Sequence, residues 1–204
     1  AEAYPNVWAS IGVHPHEAER HNAHEVEREF LKLAKNNKVV AVGECGLDYF
    51  YEHSPKSEQI AMLRAQLSVA KQTNLPLSFH VRDAYDDFWP ILDEFAGLRG
   101  VLHSFTDTEV NLQIALERGL YLGVNGIATF SKDPNQQAMY KAIPLESLLL
   151  ETDAPYLTPR PFRGKVCEPK HVMLTAEFIA EEKGLQNEQI ARITTANARK
   201  LFNL

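Results

Sequence analysis

Val39-Val40-Ala41-Val42-Gly43-Glu44 carries the clearest fold signal in the chain. Four apolar residues in a row, without polar alternation, suit a strand buried on both faces, as in parallel sheets. The run then meets a glycine and a carboxylate. Working outward, the same grammar recurs. Apolar runs stand at 7–13, 39–43, 75–81, 100–103, 120–124 and 148–151, each followed by an amphipathic stretch. Ser54-Pro55 reads as an N-cap with proline in the first helical position, ahead of Ile60, Leu63 and Leu67 at helical spacing. Asn74 and Pro76 stop that helix. Phe88, Ile91, Leu92 and Phe95 follow the i, i+3, i+4, i+7 pattern, and Gly97 closes it. Thr106 and Glu109 form a capping-box pattern ahead of Val110 and Ile114, and Gly119 ends that helix. Residues 169–204 show no strand signal and predict two or three helices punctuated by Gly184 and Asn197. Strand–helix alternation of this kind means an α/β fold, either a doubly wound sheet or a (β/α) barrel.

The composition bounds the rest. With 204 residues, 45% hydrophobic and 24% charged, the chain fits one large globular domain or two small ones, and a single domain over residues 1–204 is expected. No apolar run is long enough to cross a bilayer. No export signal opens the chain, so a cytoplasmic location is expected. Cys45 and Cys167 read as two thiols in a reducing compartment. The net charge of −6 argues against tight, nonspecific binding along duplex DNA, but not against an enzyme that handles a nucleic-acid end.

The polar residues sit at strand ends. Separate runs lead into Glu44, into His80 with Arg82 close behind, into His103, and into Asp153; the first leads into His14-Pro15-His16. In a parallel barrel such ends converge on one mouth, where active sites are built. Each residue also has a plainer reading. A lone histidine after an apolar run is more often a satisfied core or cap residue. Asp153 suits a helix cap before Ala154-Pro155, and His14 and His16 suit loop ordering. For Glu44 the plainer reading is weaker, because an unpaired buried carboxylate is costly. His21, His24, His53 and His171 read as surface residues, and Asp48 and Tyr49 as loop-shaping ones. Jointly, the order Glu, His, His, Asp on four strand ends points to metal. Imidazole with carboxylate suits Zn²⁺ or Mn²⁺, and Mg²⁺ less well. Carboxylates can also bridge two cations roughly 3.5–4 Å apart, the geometry for in-line displacement at phosphorus.

Gly12-Val13-His14-Pro15-His16, Gly43-Glu44-Cys45-Gly46-Leu47-Asp48-Tyr49, Phe79-His80-Val81-Arg82-Asp83-Ala84, His103-Ser104-Phe105, Glu151-Thr152-Asp153-Ala154-Pro155-Tyr156-Leu157 and Asn197-Ala198-Arg199-Lys200-Leu201-Phe202 together resemble the successive signatures of the TatD family. The resemblance implies a TIM-type (β/α) barrel and a metal-dependent deoxyribonuclease, often a 3′-to-5′ exonuclease, assisted by two ions (Mg²⁺, Mn²⁺ or Zn²⁺). It implies metal ligation by Glu44, His80, His103 and Asp153. Glu44 would bridge the ions and Asp153 would serve as general base. It places His14, Arg82 and Arg163 at the substrate, DNA as single strands or 3′ ends, and implies a monomer for the complete protein.

Two departures accompany it. The family opens with a strand bearing His-x-His-x-Asp, whereas this chain starts at Ala1-Glu2-Ala3-Tyr4, where the third strand is expected. An incomplete barrel of strands 3 to 8 is therefore expected, lacking the first two βα units, with a weak second metal site and two unpaired sheet edges. Cys167 also stands where the family often has Asn before Glu-Pro. Two rival readings stay open: another amidohydrolase-type enzyme acting on an amide, lactone or ester, and a non-catalytic fragment that binds nucleic acid or protein. A doubly wound fold lacks support, since no Gly-x-Gly-x-x-Gly loop follows a strand.

Overall fold

The structure, a computed structural model, describes all residues from Ala1 to Leu204. Six strands are hydrogen-bonded in chain order as one sheet: β1 (Ala9–Ile11), β2 (Val39–Asp48), β3 (Leu77–Arg82), β4 (Gly100–Leu102), β5 (Tyr121–Val124) and β6 (Leu148–Leu150). Each falls on one of the six apolar runs. The pairings of β1 with β2, β2 with β3, and β5 with β6 are parallel. The chain divides into two compact units, Ala1–Val101 with Leu201–Asn203, and Leu102–Lys200 with Leu204.

In the first unit, α1 (Ala23–Leu33), α2 (Lys56–Thr73) and α3 (Tyr85–Asp93) alternate with the strands. Val42, Cys45, Leu47, Leu63, Leu67, Leu77, Phe79 and Phe88 are buried, which is why unalternating apolar runs form these strands. Phe79 meets Phe88 edge-to-face at 5.1 Å. Two buried amides on α2, seven residues and so two turns apart, face the strand ends. Gln66 accepts from Val13 N at 2.8 Å and donates to Val13 O at 3.1 Å. Gln59 accepts from Asp48 N at 2.8 Å and donates to Asp48 O at 3.0 Å. Such buried bonds contribute only about 1 kcal/mol each, but they fix the backbone immediately before His14 and at Asp48.

In the second unit, α4 (Glu109–Glu117), α5 (Pro134–Ala142), α6 (Val172–Lys183) and most of α7 (Asn187–Phe202) surround buried Leu112, Leu122, Tyr140, Leu148, Ile179 and Ile190. Asn197 Nδ2 donates to Leu145 O at 2.7 Å and Leu148 O at 2.8 Å, tying α7 to the start of β6.

Several expectations need correction. Ser54 does not cap α2; Pro55 holds the cap position, and the Ser54 hydroxyl donates to His16 O at 2.9 Å. The cap of α4 is Thr108, which accepts from Asn111 N at 3.3 Å, rather than Thr106. Asn197 lies inside α7 instead of punctuating it, because its amide serves the β6 carbonyls. His171 is buried rather than on the surface, stacked on Phe162 at 5.3 Å. Both cysteines are free and buried, and burial pushes the Cys45 thiol pKa far up, leaving it inert. No helix is long and apolar enough to cross a membrane.

Candidate metal centre

β2 runs beyond the apolar stretch that announced it, to Asp48. Its register against β3 shifts between Val42 and Cys45. Such an irregularity re-aims side chains next to active sites, and Glu44 lies within it. Past the shift, Cys45 and Leu47 are fully buried while Glu44 and Asp48 meet the same imidazole. Gly46, between them, is obligatory: a Cβ there would lie 1.8 Å from His80 O.

His80 is clamped between two carboxylates, Nδ1 at 2.9 Å from Glu44 Oε1 and Nε2 at 2.8 Å from Asp48 Oδ2. His16 Nε2 also donates to Asp48 Oδ2 at 2.8 Å, and His14 Nε2 lies 3.5 Å from Glu44 Oε1. The other Asp48 oxygen accepts from Phe50 N and Tyr51 N, both at 3.0 Å. Burial alone would push the Asp48 carboxyl up. The bonds from His80, the Tyr51 N–H and His16 outweigh it and hold Asp48 well below the usual carboxylate range. Burial likewise pulls His80 down, but its bonds to Asp48 and Glu44 win and raise it above the ordinary imidazole value. For His16 burial dominates the bond to Asp48, so its pKa is lowered.

The ligand atoms of His14, His16 and His80 all lie within 4.8 Å of one another. Three imidazoles ringed by two carboxylates form a donor set that fits a borderline divalent cation. A carboxylate on the far ring nitrogen is also how metal-bound histidines are usually oriented.

In the second unit, His103 is clamped in the same way. Nδ1 lies 2.9 Å from Glu151 Oε2, and Nε2 lies 3.3 Å from Asp153 Oδ1. The other Glu151 oxygen accepts from Ser104 N, and Asn125 Nδ2 donates to Ser104 Oγ at 2.8 Å. Gly123 leaves the room: a Cβ there would stand 2.5 Å from Glu151 Oε2. Ser104 and Asp153 hold left-handed backbone, φ 49° and 71°, a conformation that persists for non-glycine residues when the surroundings over-determine it.

Of the residues expected at the site, the first unit thus brings together His14, Glu44 and His80, and the second brings together His103 and Asp153. Arg82 lies over the Phe50 ring at 4.0 Å, and Arg163 over the Phe130 ring at 3.6 Å. Sequence reasoning missed three participants. Asp48 was assigned to loop shaping, yet it is the fully buried anchor of two histidines. The polar–apolar alternation Glu44, Cys45, Gly46, Leu47, Asp48 was the available signal. Glu151 was absorbed into a strand although it stands two residues before Asp153. His16 was left beside its proline, and no local pattern foretold its bond to Asp48.

Residues 1–203 match the family model described as TatD related DNase. An uncharacterized metal-dependent hydrolase from Bacillus subtilis, YabD, is 41% identical over all of this chain and 80% of its own length. The protein named 3′-5′ ssDNA/RNA exonuclease TatD from Escherichia coli K12 is 36% identical, over all of this chain and 81% of its own. Among solved structures, the TatD homologue YjjV from Escherichia coli K12 superposes with a TM-score of 0.91 at 29% identity, covering 100% of this chain and 79% of that one. With its histidine–carboxylate clusters at strand ends, the chain belongs to the TatD related DNase family and is a metal-dependent hydrolase.

Proposed function

We propose that the protein is a phosphodiesterase that removes nucleotides from the 3′ ends of single-stranded DNA. The observation that carries this reading is the twofold occurrence of an imidazole held between two carboxylates, at His80 and at His103, in a chain whose relatives include named single-strand exonucleases. On the family motifs, Glu44, His80, His103 and Asp153 are the residues that would hold metal. The cation is Mn²⁺, Mg²⁺ or Zn²⁺, and the family site takes two. The six strands belong to a TIM-type barrel, with residues 1–204 acting as one cytoplasmic, monomeric hydrolase domain.

When bound, the metal supplies Lewis-acid polarisation of the phosphate and a water whose pKa is lowered toward ~7. Asp153, 30% exposed at its side chain, would serve as the general base for the attacking water. Glu151 orients His103 from the Nδ1 side, and Asp48 orients His80 and His16. Arg82 and Arg163 hold phosphate oxygens, with His14 beside the substrate. Cations at the mouth raise local substrate capture although the whole chain carries −6.

The test uses a labelled single-stranded oligonucleotide. Chelated protein should be inactive, and Mn²⁺ or Mg²⁺ should restore stepwise release of mononucleotides from the 3′ end. Activity that survives chelation would overturn the reading, and so would hydrolysis of lactones, amides or aminoacyl esters without cleavage of DNA.

A further inference from the structure

The turn after β2 carries three aromatic residues in a row, Tyr49-Phe50-Tyr51. Phe50 is 54% exposed and Tyr51 50%. Large rings left singly in water need no explanation, but these form an ordered group. The Phe50 and Tyr51 rings meet at 4.8 Å, and Tyr51 stacks on His53 at 5.6 Å with 10° between the planes. The Arg82 guanidinium lies 4.0 Å over Phe50 and 4.8 Å over Tyr51, and Lys56 Nζ lies 3.9 Å over Tyr49. The group is anchored. The amides of Phe50 and Tyr51 both donate to buried Asp48, and the Tyr49 hydroxyl donates to Asp87 Oδ2 at 2.8 Å. It adjoins the metal centre, with the Tyr51 ring 5.5 Å from that of His16.

Exposed, rigid rings interleaved with two cations, in a chain of net charge −6, match one ligand chemistry best. A flat base stacks on aromatic faces whatever its identity, while the adjoining phosphate pairs with a guanidinium. A protein partner would instead favour a continuous apolar patch, which Arg82 and Lys56 interrupt. We propose that Phe50 and Tyr51 form a stacking platform for an unpaired nucleobase, with Arg82 holding the neighbouring phosphate. This rests on the nuclease reading and deepens it. Selection of single strands arises here, because a base within a duplex has no free face to offer.

The test compares KM and kcat on an intact single-stranded oligonucleotide with those on one whose last two 3′ nucleotides are abasic. Metal-loaded wild type, Phe50→Leu and Tyr51→Leu are measured, with melting temperatures confirming the fold. Leucine keeps the apolar bulk and removes the flat face; Phe50→Trp is the rescue. On intact DNA the leucine variants should raise KM roughly fivefold to hundredfold, the loss falling on KM rather than kcat, and Phe50→Trp should restore it. Removing the bases should raise the wild-type KM similarly and erase the difference between wild type and variants. Equal KM values on intact DNA, or an equal rise on both substrates, would overturn the platform while leaving the nuclease standing. Failure of metal-loaded wild type to cleave either oligonucleotide would overturn both.

Discussion

His80 and His103 each lie between two carboxylates, and their settings differ at the Nε2 partner. For His80 that partner is Asp48, which is fully buried and takes bonds from two imidazoles and two backbone amides. For His103 it is Asp153, whose side chain is 30% exposed on left-handed backbone just past β6. The Nδ1 partners, Glu44 and Glu151, stand at the same 2.9 Å. On the proposed reading, one pairing serves two tasks. A carboxylate held by four donors well below its usual range is a weak base, suited to orienting its neighbours. Asp153, open to solvent, is the carboxylate proposed above as general base.

The sharpest way to break this contrast is to neutralise each aspartate in turn. Asp153→Asn should lower kcat roughly 10²–10⁴-fold while shifting the melting temperature little. Asp48→Asn should do the reverse, lowering the melting temperature and weakening metal affinity roughly 10–100-fold by calorimetry. If both variants lose kcat equally at saturating metal, the division of labour is wrong. The glycines provide the next largest effect. Gly46→Ala drives a Cβ into the His80 carbonyl, backbone that cannot step aside, and should destabilise by about 3 kcal/mol or more in urea titrations.

Protonation gives a subtler separation. The His80 pKa is raised in the folded protein. Its contribution to metal-free stability is therefore complete below the unfolded value of about 6.5 and lost as pH rises through the folded pKa. Metal binding runs the other way, because the cation displaces protons. From about pH 6.5 upward the melting temperature of chelated protein should fall while the stabilisation added by Mn²⁺ grows. A metal increment that does not change with pH would remove His80 from the ligand set. The smallest effect is expected for Gly123→Ala. The three atoms nearest its Cβ all belong to the Glu151 carboxylate, a side-chain end that can turn away. Stability should fall by about 1 kcal/mol or less, with a clear loss of kcat as His103 loses its Nδ1 partner.

All six strands were legible in the sequence because each carries an apolar run, least broken where the strand is buried, as in β4 and β5. The meeting of Glu44 and His80 was legible too, as polar residues ending such runs. Cap positions slipped, from Thr106 to Thr108 because neighbouring hydroxyls offer similar caps, and from Ser54 to Pro55 because the Ser54 hydroxyl is taken by the His16 carbonyl. Asp48 escaped because reading stopped at the glycine, although the strand continues through its register shift. Gln59 and Gln66 escaped for another reason. Polar residues on a helix read as solvent-facing, and nothing local announces that a strand end needs both a donor and an acceptor there. His171 is buried by its stack on Phe162, nine residues away in sequence and invisible to any periodicity.

Anomalous scattering from a crystal soaked in Mn²⁺, at a concentration that saturates activity, tests the central assignment most directly. The account predicts a manganese peak at roughly 2.0–2.3 Å, the coordination range for imidazole and carboxylate ligands, from a His80 ring nitrogen and a Glu44 oxygen. Manganese bound while both side chains keep only their mutual hydrogen bond would contradict it.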